Sequence, residues 1–229
     1  MLRILGSLAL LTWSIGAMAT PITVRYTGFE NGSQTGRISG VRTANVAAGQ
    51  FTFNVIDNGG VYWDTTLNAF CIDVRNNLVT GREVVYDLLA TPPNTYLNSQ
   101  QLSLIGRLFD SRAGSLGSAA NDAAFQLSLW EIVYDAGSSA LDLASGNFSA
   151  SQFSSAVSIA QSWLSALSTA GSYTSSQYEF FVLRPISPDP NQTLLTWRTV
   201  SVPEPATLGL LGAGLLLVGF AVRRRPLGR

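Results

Sequence analysis

The sequence predicts an α+β fold: an antiparallel, sandwich-like β layer with a segregated group of about three helices. Three observations carry that expectation. Apolar alternation and turn residues occupy the chain from Thr20 to the Pro92-Pro93 pair, helical periods then take over as far as Gly171, and strand patterns return before Val202. Both ends read as targeting segments, so the 229 residues leave one domain of ordinary size, residues 20–201.

Residues 1–19 carry one early positive charge, Arg3, then the apolar run ILGSLALLTWSIGA and the small-x-small end Ala17-Met18-Ala19. That pattern is a secretory signal peptide with cleavage before Thr20; a buried N-terminal helix is the alternative. In the strand region, Phe51, Phe53 and Val55 fall on one face, Asp57-Asn58-Gly59-Gly60 makes a turn, and an aromatic run follows, which together signal a hairpin. Asp57, Asn58 and Asp64 match no calcium loop, so a plain turn is expected there. REVVYDLLA is a further strand, stopped by Pro92-Pro93.

The first helix is SQQLSLIGRLFDSR, with Leu102, Ile105, Leu108 and Phe109 on one stripe and Ser99 as N-cap. The second, NDAAFQLSLWEIVYDAG, reads as amphipathic with Phe125, Leu129 and Ile132 or Val133 inward and Gly137 as its stop. The third spans SASQFSSAVSIAQSWLSALSTAG and turns Phe153, Val157, Trp163, Leu164 and Leu167 inward. The Ser/Ala/Gly-rich residues 136–151 read as a loop. QYEFFVLRP and QTLLTWRTV are the returning strands. Asn-x-Ser/Thr matches stand at Asn31, Asn147 and Asn191, a short motif that carries little weight alone.

Composition excludes several chemistries. The sequence has no histidine and no lysine, so Ser-His and Cys-His catalysis, His-ligated metals, lysine Schiff bases and Lys–Asn crosslinks are out. No metal, cofactor or enzymatic constellation is expected. Between Thr20 and Val202, nine arginines face thirteen carboxylates, a net charge of about −4 by formal counting, with no basic patch for nucleic acid. The missing lysine also fits a genome that prefers arginine codons.

After Ser201 the chain reads VPEPATLGLLGAGLLLVGFAVRRRPLGR. Residues 206–222 are uncharged and would span roughly 26 Å as a helix, slightly short for a hydrocarbon core of about 30 Å. Arg223, Arg224 and Arg225 follow and mark a cytoplasmic side, which leaves residues 20–201 outside the cytoplasm. The order Pro203-Glu204-Pro205, glycine-rich membrane helix, arginine cluster resembles the PEP-CTERM sorting signal over residues 202–229. The resemblance implies a Gram-negative bacterium that makes exopolysaccharide. It also implies a membrane-embedded exosortase that recognises Pro203, Glu204 and Pro205, removes the tail and passes the protein to the surface or matrix.

One cysteine, Cys71, stands in this exported chain, and it cannot close a disulfide within the molecule. It is open to four readings: a small buried hydrophobe, an intermolecular disulfide, a nucleophile without the usual base, or a sulfur bonded to a glutamine side chain. Phe70-Cys71 followed by FQLSLW, residues 125–130, resembles the paired signatures of bacterial surface thioester domains. The resemblance implies sulfur from Cys71, an acyl group from Gln126, and Phe70, Phe125, Leu129 and Trp130 walling the bond. Glu131 would either orient an incoming amine or stand as an exposed carboxylate. Gln126 and Trp130, four apart, share a helical face, so the indole can lie beside the acyl carbon.

Two functions are therefore expected in competition. One is a surface or biofilm-matrix protein with an internal Cys71–Gln126 thioester that attaches covalently to an amine or hydroxyl of a partner. The other is a non-reactive, structural exopolysaccharide-associated protein with Cys71 in its core.

Overall fold

The computed structural model describes residues 20–200 apart from 61–62, 64, 92–95, 138–139 and 187–189. They fall almost entirely in the first of two compact units, Met1–Arg198 and Thr199–Arg229. The signal peptide expected over residues 1–19 lies outside the described residues, as do Pro203, Glu204, Pro205, the apolar segment 206–222 and Arg223, Arg224 and Arg225. Among the described residues no helix is long and apolar enough to cross a membrane.

Among the described residues, nine strands run in chain order: β1 (Thr20–Phe29), β2 (Gln34–Gly40), β3 (Ala44–Ala48), β4 (Phe51–Asp57), β5 (Thr66–Cys71), β6 (Glu83–Ala90), β7 (Phe148–Ser151), β8 (Tyr178–Pro185) and β9 (Leu194–Thr199). Three helices, α1 (Ser99–Arg112), α2 (Ala119–Asp135) and α3 (Ala156–Ser165), occupy the interval between β6 and β8. Mixed composition, antiparallel pairing and three helices agree with expectation. The sandwich-like layer does not: six strands close a barrel in the order β1-β4-β5-β9-β8-β6, and β2 forms a separate sheet between β3 and β7.

The cause of closure lies in β1. It pairs antiparallel with both β4 and β6, and its register with β4 slips between Thr23 and Val24 and again between Tyr26 and Gly28. Each slip bends the strand and adds twist, which turns an open sheet onto itself. Every second residue then points inward. Ile22 and Val24 of β1, Phe51 and Phe53 of β4, Leu67, Ala69 and Cys71 of β5, and Tyr86 and Leu88 of β6 are all buried. The expected hairpin is β4–β5, with Phe51 opposite Ala69 and Phe53 opposite Leu67. Its turn uses Asp57 and Asn58 as acceptors for the amides of Gly59 (3.0 Å) and Gly60 (2.9 Å), so these side chains serve the turn itself.

Helix boundaries moved where caps compete. Asn98, not Ser99, is the N-cap of α1: its side chain accepts from the Gln101 amide, and the Gln101 side chain accepts from the Asn98 amide. The third helix is shorter than its apolar period suggested. Phe148–Ser151 instead pairs with β2 as β7, correcting the loop expected there. Gln152 and Ser154 then adopt left-handed φ of 64° and 50° before α3 begins at Ala156. Phe153 is fully buried between these two turns and packs where Gly36 leaves room: a Cβ on Gly36 would lie 2.4 Å from the Phe153 ring.

α2 corrects a larger expectation. It is not amphipathic: every residue from Asp122 through Ile132 is buried, as befits a helix enclosed on all sides. It packs against α1 and α3 on one hand and against β5, β7 and β3 on the other. Its five buried polar residues are each hydrogen-bonded. Four of them reach backbone or side chains of other segments, so the central helix fixes the loops around it.

Candidate functional site

β5 ends at Cys71, and α2 runs across that end. The Cys71 amide donates to Oε1 of Gln126 at 2.8 Å, and Nε2 of Gln126 donates to the Cys71 carbonyl at 2.8 Å. The carboxamide thus binds the last residue of β5 as a neighbouring strand would, with one donor and one acceptor. Cys71 is 0% exposed and Gln126 is 1% exposed. Next along the same helical face comes Trp130: its buried indole nitrogen makes no hydrogen bond of ordinary geometry, and its nearness to the Cys71 sulfur favours the thiolate. One turn further, the Tyr134 hydroxyl accepts from the Val74 amide (3.1 Å) and donates to the Ile72 carbonyl (3.4 Å). Gln126, Trp130 and Tyr134, spaced by four, therefore engage consecutive parts of residues 71–74.

The thiol itself donates to the Asp73 carbonyl at 3.1 Å and accepts from the Asp73 amide at 3.3 Å. Burial pushes the thiol up to about 12, only partly offset by the Asp73 backbone and Trp130, while the Asp73 carboxylate adds to the rise. At neutral pH the sulfur is therefore held as the thiol.

The remaining residues singled out by sequence sit as follows. Phe70 and Phe125 stack with centroids 4.8 Å apart, and Phe70 also stacks on Trp197 at 5.5 Å. Strand alternation turns the Phe70 ring and the Cys71 side chain to opposite faces of β5. Leu129 is fully buried one turn from Gln126. Trp130 is 3% exposed and meets Phe148 at 5.9 Å.

Glu131 is not the exposed carboxylate that its charge suggested. It is fully buried. Oε1 accepts from the Asp142 amide at 2.8 Å, and Oε2 has no hydrogen-bond partner. Burial raises its pKa to about 7; the Asp142 amide opposes the rise, and the Asp135 and Asp142 carboxylates reinforce it. A raised folded-state pKa means that stability is fullest below the ordinary glutamate value and is lost as pH climbs through 7. At about 1.4 kcal/mol per pH unit, the loss between pH 4.5 and 7 reaches roughly 3 kcal/mol. Glu131→Gln is expected to remove that slope, with urea midpoints that no longer fall between pH 5 and pH 8.

Sequence reasoning missed Tyr134, although its four-residue step from Trp130 was available as a signal. It also missed Asp73, whose backbone wraps the sulfur. Among the described residues, no group of three or more acidic or sulfur side chains could hold a metal.

Residues 201–225 match the PEP-CTERM protein-sorting motif. That motif marks an exported protein, processed by an exosortase in the membrane and destined for the cell surface, with a C-terminal anchor before processing. No curated protein matches the chain. Among solved structures, the N-terminal thioester domain of a surface protein from Clostridium perfringens aligns with 73% of this chain and 99% of its own. The sequence identity is 15% and the TM-score is 0.41.

Proposed function

We propose that this is a cell-surface or biofilm-matrix protein of a Gram-negative bacterium, exported on a signal peptide over residues 1–19 and released by exosortase cleavage near Pro203, Glu204 and Pro205. Its domain carries an internal thioester between Cys71 and Gln126. The observation that carries the proposal is the two-point hold of the Gln126 carboxamide on Cys71, in an interior closed to water.

The chemistry follows from that hold. Sγ of Cys71 attacks Cδ of Gln126, and negative charge develops on Oε1. The Cys71 amide, 2.8 Å from Oε1, is already aimed at that charge, as an oxyanion donor must be. The C–N bond breaks, and Nε2 leaves as ammonia, taking the thiol proton. Fixed placement supplies effective molarities on the order of 10⁵ M or more, which an unactivated amide requires. Closure frees the Cys71 carbonyl, previously bonded to Nε2. In the second step a partner's amine or hydroxyl attacks Cδ, the C–S bond breaks, an amide or ester forms at Gln126, and the nucleophile's proton goes to sulfur. A site that disfavours thiolate makes sulfur a reluctant leaving group until a proton arrives, which protects the bond against stray water.

A second reading has its own support. The Gln126 amide is satisfied by Cys71 backbone and the thiol by Asp73 backbone, as in a structural core. On that reading the protein is a non-reactive, exopolysaccharide-associated surface component. Intact mass separates the two. The thioester lowers the mass by one ammonia, methylamine adds its own mass to that product, and Cys71→Ala abolishes both changes. An unshifted mass before and after methylamine leaves the structural reading.

A further inference from the structure

Cys71 and Gln126 are closed to solvent, yet an open cleft of about 400 Å³ lies immediately outside them. Ile72, Asp73, Asn76, Tyr96, Tyr134 and Thr193 line it. Between the cleft and the sulfur runs the strap 72–82, which belongs to no helix or strand. Its fastenings are scattered hydrogen bonds. Ile72 N–H donates to the Thr193 carbonyl (3.0 Å), and Val79 N–H to Oδ1 of Asn191 (2.9 Å). Arg42 donates to the Val74 carbonyl (3.2 Å) and to Oδ1 of Asn77 (2.9 Å), and Gln192 to the Asn76 carbonyl (3.0 Å). Tyr134 differs from these in two respects. It comes from the helix that bears Gln126, and its one hydroxyl grips Ile72 and Val74, the residues on either side of Asp73. Asp73 is the residue whose backbone covers the sulfur.

We propose that Tyr134 determines the size of nucleophile admitted to the site: its hydroxyl latches strap 72–82 over the Cys71–Gln126 pair, and the cleft is the mouth that opens when the strap lifts. The chemistry rests on the thioester proposed above; the latch is a property of the strap whatever the state of the sulfur. A small amine enters through a local fluctuation of the wall. A large one needs the strap displaced, and every fastening lost raises the population of that open form.

Tyr134→Phe, made in the whole exported chain, tests the latch. It keeps the ring, which stacks on Phe148 at 6.3 Å and 23°, and deletes both bonds to the strap. Aminolysis is followed by intact mass with methylamine and with an amine-terminated polyethylene glycol. The ratio of polymer rate to methylamine rate is expected to rise by about fivefold to thirtyfold, the factors that one and two lost hydrogen bonds make in an opening equilibrium. An unchanged ratio overturns the proposal. If the wild-type mass lacks the ammonia deficit, the thioester reading has failed, and the same comparison is made on the free Cys71 thiol with iodoacetamide and a polymer maleimide. There too a rise of similar size in the polymer-to-small ratio supports the latch, and a constant ratio removes it.

Discussion

Gln126→Ala is expected to lower the stability of the domain by about 4 kcal/mol, a fall in melting temperature of roughly 8–16 °C. Two costs combine. Truncation of a fully packed side chain in α2 leaves a cavity beside β5. It also strips the Cys71 amide of its partner at 2.8 Å, and, where the carboxamide is intact, the Cys71 carbonyl of its own, in a buried region, at about 1–3 kcal/mol for each orphaned group. Cys71→Ala is the control. It keeps both backbone bonds and removes only the sulfur, so its cost should stay near 1–2 kcal/mol. Thermal unfolding of the two variants, read against wild type, gives the comparison. Equal losses would show that the two-point hold contributes little.

Asp135→Ala should cost a similar amount, again about 4 kcal/mol, through a different part of the molecule. The carboxylate sits at the end of α2, 2% exposed. It accepts from the amides of Asn147 (2.8 Å) and Phe148 (2.7 Å) and from the Asn147 side chain (3.0 Å). Bonds to a buried charge are worth about 1.5–3 kcal/mol each before the losses of relaxation are counted. Those bonds launch β7, and the turn before it is shaped to receive the carboxylate: Gly146 has φ 103°, and a Cβ there would lie 2.9 Å from Oδ1 of Asp135. Loss of Asp135 should therefore release β7 from β2. Faster hydrogen exchange at Phe148, which loses its acceptor, and at Ser149 and Ser151, which alternate with it along the β2 ladder, with the barrel amides unchanged, is the expected signature.

These two residues show what a sequence can disclose and what it cannot. The β4–β5 hairpin and the strand β6 were legible because period-two alternation is local and Asp-Asn-Gly-Gly is a strong turn signal. The three helices were legible as periods, with errors at their ends, where Asn98 outcompeted Ser99 and where two left-handed residues cut the third helix short. Barrel closure was not legible, since it arises from two register slips in β1 that no alternation pattern announces. β7 was hidden in a Ser/Ala/Gly-rich stretch whose strand character depends on Asp135, thirteen residues upstream of Phe148.

At the site, the Cys71 and Gln126 pairing came from two short motifs and a resemblance, not from spacing. Burial of Glu131 could not be foreseen, because a helix enclosed on every side carries charges that look, residue by residue, like a surface. Asp73 was invisible for another reason: it meets the sulfur through its main chain, which every residue possesses.

β9 lies between β5 and β8 in the closed barrel and is the last strand before the sorting motif. It is not an edge that can peel away. If the C-terminal end were held, as it is before processing, and a partner were bonded at Gln126, as the proposed thioester would allow, a pull along the chain would load β9 in shear. Its ladder to the antiparallel β5, where Ala69, Phe70 and Cys71 face Thr196, Leu195 and Leu194, would resist as a set and not one rung at a time. The strand next to the tail is thus the mechanical anchor of the domain, and the residue it grips at the far end of β5 is Cys71 itself.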